Sequence, residues 1–237
     1  LEESDKVCIY GAAYKVIDVL ITLPFMFAGI VLPLLTSRWA NNDTKGFKQL
    51  MQKSFNVMVI FTVPMIVGTQ LLASDIMTLV AGHEFALSGP ILQILIFAAG
   101  IIFLGNIFAH AVIAINKQKQ IIGAYMLTAV SALILYFIFI PRFSYFGAAW
   151  VTIYSETVIA LASFYMVWKY TKFIPNILII FKSCAASICM LISMYSLQYF
   201  GIFNLVYIIF TAVVTYFIFI FIFKGLSKNE LLSLFNK

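Results

Sequence analysis

The stretch PILQILIFAAGIIFLGNIFAHAVIAI, from Pro90 to Ile115, decides the fold class of this sequence. It holds no Asp, Glu, Lys or Arg, and it is longer than the ~20 mostly apolar residues that a helix needs to cross the ~30 Å bilayer core. Continuous apolar runs of this kind predict helices, because strands of a membrane barrel alternate in polarity. The expected spans are Tyr10 to Leu35, Phe55 to Leu72, Pro90 to Ile115, Ile121 to Ile140, Phe146 to Trp168, Asn176 to Tyr199 and Phe203 to Phe223.

The composition of the whole chain agrees with this class. Of 237 residues, 63% are hydrophobic and 10% are charged, whereas an ordinary soluble domain has about 45–50% apolar and about 25% charged residues. A mean hydropathy of +1.05 excludes a soluble globular protein, because such a chain cannot present a polar surface to water on all sides. We therefore predict an all-α integral membrane protein with about seven transmembrane helices.

The 15 Lys and Arg against 9 Asp and Glu are separated by connection. One set of alternate connections is basic and carries Arg38, Lys45, Lys48, Lys53, Lys117, Lys119, Lys169, Lys172, Lys224, Lys228 and Lys237. The other side is mostly acidic and carries Glu2, Glu3, Asp5, Lys6, Asp75, Glu84 and Arg142. The positive-inside rule places the basic side and the C-terminus in the cytoplasm. The net charge of +6 therefore indicates topology, and no nucleic-acid partner is expected.

Seven spans and a cytoplasmic C-terminus put Leu1 on the outer side of the membrane. The sequence shows no basic region followed by a short apolar segment that would act as a signal peptide. We therefore expect at least one earlier helix, and we expect the chain to be the second part of a longer protein whose N-terminal lobe is missing here.

Two connections are expected to form short helices at the membrane surface. Between Asn42 and Ser54, apolar and basic residues take different helical faces, which is typical of a helix lying on the inner leaflet. On the outer side, Ser74 is a candidate N-cap and Gly82 a candidate C-cap of a second short helix.

The sequence lacks the usual signatures of soluble catalysis. Cys8, Cys184 and Cys189 form no C-x-x-C pair, which leaves a zinc site unsupported. The adjacent His83 and Glu84 do not extend to H-E-x-x-H, and neither a Walker loop nor a G-x-G-x-x-G string is present. We expect no enzymatic activity, no cofactor and no metal, so a transporter of this kind would depend on an ion gradient or on the substrate gradient.

Four ionisable side chains fall inside the expected spans, namely Lys15, Asp18, Glu156 and Lys182. Such residues are costly in lipid and usually face a bundle interior or a water-filled cavity. Lys15 and Asp18 are three residues apart, so they share a helical face on which they can pair. Asp18 and Glu156 fall at similar depth in the outer half of the membrane, where they can line one polar cavity.

Two interpretations of these residues remain open. In the functional one, Lys15 belongs to a cationic site for an anionic headgroup, and Asp18 and Glu156 exchange a proton or a sodium ion. In the structural one, a buried ion pair and a protonated Glu156 hold helices together. Lys182 lies near the cytoplasmic end of its span, where its long stem is expected to snorkel to the interface.

Three prolines interrupt the first two spans: Pro24 and Pro33 in the first and Pro64 in the second. A proline inside a membrane helix frees a carbonyl and kinks the axis. The helix that carries Lys15 and Asp18 is therefore expected to bend most easily, which suits alternating access around a site near the midplane.

Three stretches of the chain resemble motifs of a known family. LEESDKVCIYGAAYKVID, from Leu1 to Asp18, is similar to the start of that family's eighth helix, with Lys15 and Asp18 on its basic and acidic positions. ASDIMTLVAGHEFALSGP, from Ala73 to Pro90, is similar to its outer loop. IFIPRFSYFGAAWVTIYSE, from Ile138 to Glu156, resembles a third motif. In that motif the matching residues are Gly147, Ala148, Ala149, Thr152, Ser155 and Glu156.

In this order the motifs resemble the C-terminal half of the polysaccharide or O-antigen flippases, which belong to the multidrug/oligosaccharidyl-lipid/polysaccharide exporter superfamily. The resemblance extends to about Lys224. Three positions depart from the family pattern: Cys8 stands where Gly is usual, Asp18 replaces a typical Glu, and Tyr136 occupies a place where Asn is common.

The resemblance implies a MATE-like C-terminal lobe. Residues 1–172 would form this lobe without its first helix, with spans near 10–35, 55–72, 90–115, 121–140 and 146–168. Residues 173–237 would add two transmembrane helices, near 176–199 and 203–223, and a cytoplasmic tail.

The resemblance also implies a function: flipping of an undecaprenyl-pyrophosphate-linked oligosaccharide, an O-antigen or polysaccharide repeat unit, from the inner to the outer leaflet of a bacterial inner membrane. The expected partners are this lipid-linked substrate, membrane lipids, a coupling ion (H⁺ or Na⁺) and the N-terminal lobe. One alternative is a drug/cation antiporter of the same superfamily, in which Asp18 and Glu156 would bind the cation and substrate directly. Another is a membrane-embedded glycan polymerase or glycosyltransferase, although the longest outer loop offers only Asp75, His83 and Glu84.

Overall fold

The structure, a computed structural model, describes residues 3–201 and 204–225, with side chains from residue 8 onward. Within these residues it is helical and contains no strand. The α-helices are α1 (Glu3–Ala40), α2 (Thr44–Ala81), α3 (Gly89–Ala114), α4 (Gln118–Thr171), α5 (Leu178–Tyr199) and α6 (Leu205–Ile222). A short 3-10 helix, His83–Ser88, precedes α3. All six α-helices are long and apolar enough to cross a membrane, so the predicted all-α membrane class is confirmed.

Helix α3 lies at the centre of the fold and packs against α1, α2 and α4. Two glycines allow this close packing. A side chain at Gly100 would collide with Thr62 and Ile66 of α2, and one at Gly105 would collide with Ala160 of α4. Small residues at such contacts let membrane helices come close enough for strong van der Waals packing. The decisive apolar stretch of the sequence is therefore the core of the fold.

Helix α4 is a hairpin of two membrane spans. Its 54 residues would extend about 81 Å at 1.5 Å per residue, far beyond a bilayer core. Ser144 breaks it with φ 52° and ψ −138°, which leaves two arms, residues 118–143 and 145–171, each about 40 Å long. The expected connection between Ile140 and Phe146 is wrong in length: the first arm continues past Pro141, and the turn is a single residue.

Contacts between the arms show that they run antiparallel. Tyr125 and Ser163 hydroxyls lie 3.0 Å apart, and further towards the turn the Tyr154 hydroxyl donates to Ser131 at 3.2 Å. The Tyr136 hydroxyl lies 3.3 Å from the Thr152 hydroxyl, nearer still to Ser144. In a bilayer such hydroxyls need hydrogen-bond partners within the protein, and here the two arms provide partners for each other. With α4 counted as two spans, residues 3–201 and 204–225 contain the seven spans expected.

Helix α2 runs without interruption from the α1–α2 elbow, residues 41–43, to Gly82. The expected surface helices on either side of its span are therefore not separate helices, and Ser74 lies inside α2 instead of capping a new helix. Packing explains this, because Gly89 of α3 lies directly against Ser74 and covers the helix where a break was expected. The predicted C-cap is observed: the Gly82 amide donates to the Thr78 carbonyl, with φ 101° at Gly82.

Asp43 caps the N-terminus of α2. Its carboxylate accepts from the Gly46 amide at 2.9 Å and from the Arg38 guanidinium at 2.7 Å. The Gly46 hydrogen bond and the nearby Arg38 hold the pKa of Asp43 below its ordinary value. This carboxylate therefore stays ionised at neutral pH, and the contribution of these contacts to stability is lost as the pH falls through the lowered pKa.

The prolines expected to kink the first two spans all lie inside continuous helices. Pro24 is buried, Pro33 is exposed and Pro64 is half-buried, and both α1 and α2 continue past them. Within the described helices, non-helical backbone angles occur at Ser144.

The last two helices pack on each other and onto α2. Lys182 of α5 donates to the Lys224 carbonyl at 2.9 Å, just beyond the end of α6. A cation at this end of a helix is favourable because the last carbonyls carry partial negative charge. The division into a lobe and two added helices stays a prediction, and the expected tail beyond residue 225 lies outside the described residues.

Candidate functional site

Lys15 and Asp18 lie on the free face of α1. Ala13 and Ile17 on the same helix are buried against the other helices, whereas Lys15 and Asp18 are exposed. The possible ion pair between them is not formed: among the described residues the salt bridge is that of Arg38 with Asp43. Because neither charge is desolvated by neighbouring helices in this chain, nothing forces them to pair. Both groups are directed away from the packed part of the fold.

Aromatic and hydroxyl side chains connect this face to the second arm of α4. The rings of Tyr10 and Tyr14 stack at 5.9 Å on α1. The carboxylates of Asp18 and Glu156 both lie near the Tyr14 hydroxyl, and the Thr152 hydroxyl lies near that of Tyr10. Asp18 and Glu156 therefore lie around one tyrosine, on two different helices.

Glu156 lines a cavity of about 230 Å³ between α1, α3 and the two arms of α4. Asn106 and Tyr125 also line this cavity. Asn106 is only 6% exposed, and its side-chain nitrogen has no hydrogen-bond partner within the described residues. An amide buried this deeply without a partner is costly, and together with Glu156 and Tyr125 it gives a mostly apolar cavity a small polar part. Asp18 does not line it, which leaves the expected shared cavity of Asp18 and Glu156 only partly formed.

A second, larger cavity of about 520 Å³ lies between α1, α2, α5 and α6. Its walls are almost entirely apolar, and it runs along the second half of α2 from Ile60 past Pro64 to Val80. Methionines of α5 and aromatic residues of α6 form the opposite wall. A volume and lining of this kind suit an apolar chain.

Tyr216 joins three helices at one end of this cavity. Pro64 has no amide hydrogen, so the carbonyl of Ile60, four residues earlier, loses its partner in α2. The Tyr216 hydroxyl of α6 donates to this carbonyl at 2.8 Å, and the Ser183 hydroxyl of α5 bonds to Tyr216 in turn. Tyr216 is thus the residue that makes Pro64 tolerable in α2 and that fixes the α5–α6 pair to it. Sequence reasoning missed the contact between Tyr216 and Ile60 because these residues are 156 positions apart.

Replacing Tyr216 with phenylalanine is expected to destabilise the folded protein by about 1–3 kcal/mol, since it leaves a buried carbonyl and a buried hydroxyl without partners. Thermal unfolding in detergent measures this loss. Tyr195→Phe, an exposed tyrosine on α5, is the matched control and should leave the midpoint unchanged.

A double-mutant cycle identifies the cause. Pro64→Ala restores an amide hydrogen to α2, which can bond the Ile60 carbonyl itself. In this background Tyr216→Phe should cost clearly less than in the original chain. Equal costs in both backgrounds would show that Tyr216 does not act through the proline.

Comparison with known proteins bears on the fold. No protein-family model and no curated protein matches the sequence. Among solved structures, a similar fold is found. The structure matched is that of the lipid II flippase MurJ in an inward closed conformation, with a TM-score of 0.73 and 21% sequence identity. The match covers 92% of this chain and 47% of the MurJ chain, so the chain spans about half the length of that protein. At this identity the likeness shows the fold.

Proposed function

We propose that this chain belongs to a flippase that moves an undecaprenyl-pyrophosphate-linked oligosaccharide, an O-antigen or polysaccharide repeat unit, across the bacterial inner membrane by alternating access. The observation that carries the proposal is the pair of exposed charges, Lys15 and Asp18, on the free face of a membrane-spanning helix. Charges at this depth face water or a polar ligand and not lipid. In a fold shared with a lipid II flippase, this face is the natural wall of a substrate path.

Lys15 is the residue that would bind the substrate's pyrophosphate. Its ammonium acts as a compact point charge with three donors, and it has no carboxylate partner among the described residues. The stacked pair Tyr10 and Tyr14 lies on the same helix and offers the amphipathic rings that sugars pack against. We propose that an N-terminal lobe of the same protein supplies the opposite wall.

The two carboxylates are the candidates for coupling. Asp18 is exposed on the substrate face, whereas Glu156 lines the mostly apolar cavity that Asn106 also lines. Tyr14 lies near both. A proton or sodium ion bound by these carboxylates would change the net charge beside the substrate face. An ion gradient could in this way act on substrate binding.

The apolar cavity between α1, α2, α5 and α6 supports a lipid-linked substrate. A polyprenyl tail needs an apolar surface that continues from the headgroup site into the lipid. Leu20 lines this cavity and lies on α1 five residues after Lys15. Because residues five apart point about 140° apart around a helix, the charged face and the apolar cavity lie on different sides of α1.

The test is loss of the gene that encodes the chain. We expect the lipid-linked oligosaccharide to accumulate on the inner leaflet, and the complete protein to restore its export. Unchanged glycan export together with increased drug sensitivity would favour the drug/cation antiporter. Sugar polymerisation by the purified protein would instead favour the polymerase, and either result overturns the proposal.

A further inference from the structure

A cavity of about 170 Å³ lies at the α1–α2 elbow, far from the face of α1 that carries Lys15. One stripe of each helix forms it. Helix α1 contributes Leu34 and Arg38, four residues apart, and α2 contributes Gly46, Gln49, Leu50 and Lys53, which recur at helical spacing. Its lining therefore combines two cations and an amide with two leucines.

The charge of the elbow is positive. Lys45, Lys48 and Lys53 follow on α2, and Asp43 is the carboxylate of the elbow itself. Asp43 is already occupied, because Arg38 and the Gly46 amide bond its two oxygens. Lys53 has no carboxylate within 4.0 Å among the described residues. The cavity therefore holds cationic charge that the described part of the protein does not neutralise.

The position of Lys53 indicates what the cation meets. Leu34 and Leu50 are each about eight residues from the elbow, whereas Lys53 is almost one further turn along α2, which places it about 5 Å deeper. A lysine below two leucines must extend its ammonium back towards the membrane surface. That places the ammonium at the level of the headgroups, beside apolar side chains that contact the first part of an acyl chain.

We propose that this elbow cavity binds the phosphate of an anionic phospholipid headgroup. Lys53 and Arg38 contact the phosphate from its two sides, Gln49 donates a hydrogen bond, and Leu34 and Leu50 pack against the glycerol and the start of the acyl chains. Basic pockets between membrane helices are suited to such headgroups. The bound lipid bridges α1 and α2 where the connection between the helices is only three residues long.

Native mass spectrometry of the full protein, with phosphatidylglycerol or phosphatidylcholine added in detergent, tests this site. Lys53→Gln is expected to weaken phosphatidylglycerol binding about fivefold and to leave phosphatidylcholine binding unchanged. Lys45→Gln is the matched control: it removes the same charge from an exposed position of the same helix outside the cavity, and it should change binding less than twofold. Equal losses in both variants would show general charge attraction and overturn the site.

Two further measurements test the role of Arg38 and the kind of ligand. Asp43→Asn keeps an N-cap side chain but releases Arg38 from its ion pair, so phosphatidylglycerol should bind more tightly; weaker binding would overturn the role of Arg38. Inorganic phosphate at millimolar concentration should not displace the lipid. Displacement by inorganic phosphate would assign the cavity to a soluble phosphate instead of a lipid.

Discussion

Gly147→Ala is expected to destabilise the folded protein by about 3 kcal/mol or more, the upper part of the range for overpacking a tight contact. A methyl group at this position would lie 2.4 Å from the Phe139 carbonyl oxygen and 2.7 Å from its carbon. Both atoms belong to the backbone of the opposite arm of α4, so they cannot move aside as a flexible side chain would. The arms of the hairpin must separate for the alanine to fit.

The measurement is the thermal unfolding midpoint in detergent, followed by the retention of the monodisperse peak. Gly123→Ala is the matched control, because it lies in the first arm of the same hairpin with nothing within 4 Å of the added atom. Alanine is the better helix former by about 1 kcal/mol, so this variant should be neutral or slightly more stable. Similar midpoints for the two variants would contradict the close approach of the arms.

Lys15→Ala is expected to reduce flipping of the lipid-linked oligosaccharide about 10- to 100-fold, since a hydrogen bond to a charged group contributes roughly 1.5–3 kcal/mol. The exposure of Lys15 on the free face of α1 predicts that the protein still inserts and accumulates normally. Export of the glycan in cells that carry the complete protein, compared with its abundance in the membrane, measures the effect.

Two variants separate charge from structure. Lys15→Arg keeps the cation and should retain much of the activity, although the guanidinium differs in shape from the ammonium. Lys182→Ala removes another lysine from a membrane span, one that bonds the Lys224 carbonyl, and should leave export unchanged. Export at the original level from Lys15→Ala would refute the assigned role and favour a structural one.

The spans could be predicted from the sequence because each is a continuous apolar run, and lipid imposes one length on all of them. The ends of the spans depended on more than composition. The polar residues around Pro141 and Arg142 indicated a loop, yet the first arm remains helical to residue 143 because the opposite arm packs against it there. The surface helix expected around Ser74 failed for a similar reason, since α3 covers that part of α2.

For the candidate site, the sequence likewise predicted some features and not others. That Lys15, Asp18 and Glu156 are exceptional followed from their rarity in apolar spans. Their surroundings did not follow, because pairing on one helix is a local inference, and the structure instead places both Asp18 and Glu156 near Tyr14. Asn106 carries no sequence signal that distinguishes it from other polar residues in a span. Only the packing of α3 against both arms of α4 reveals it as a buried amide without a partner.

The turn at Ser144 also bears on how the chain enters the membrane during synthesis. The first arm of α4 carries Tyr125 and Tyr136, whose hydroxyls, among the described residues, have their partners on the second arm. If the first arm reached lipid alone, these groups would be left without hydrogen bonds in hydrocarbon. We therefore expect the two arms to leave the translocon together as one helical hairpin, so that a ribosome paused soon after residue 144 holds an arm that is not yet integrated.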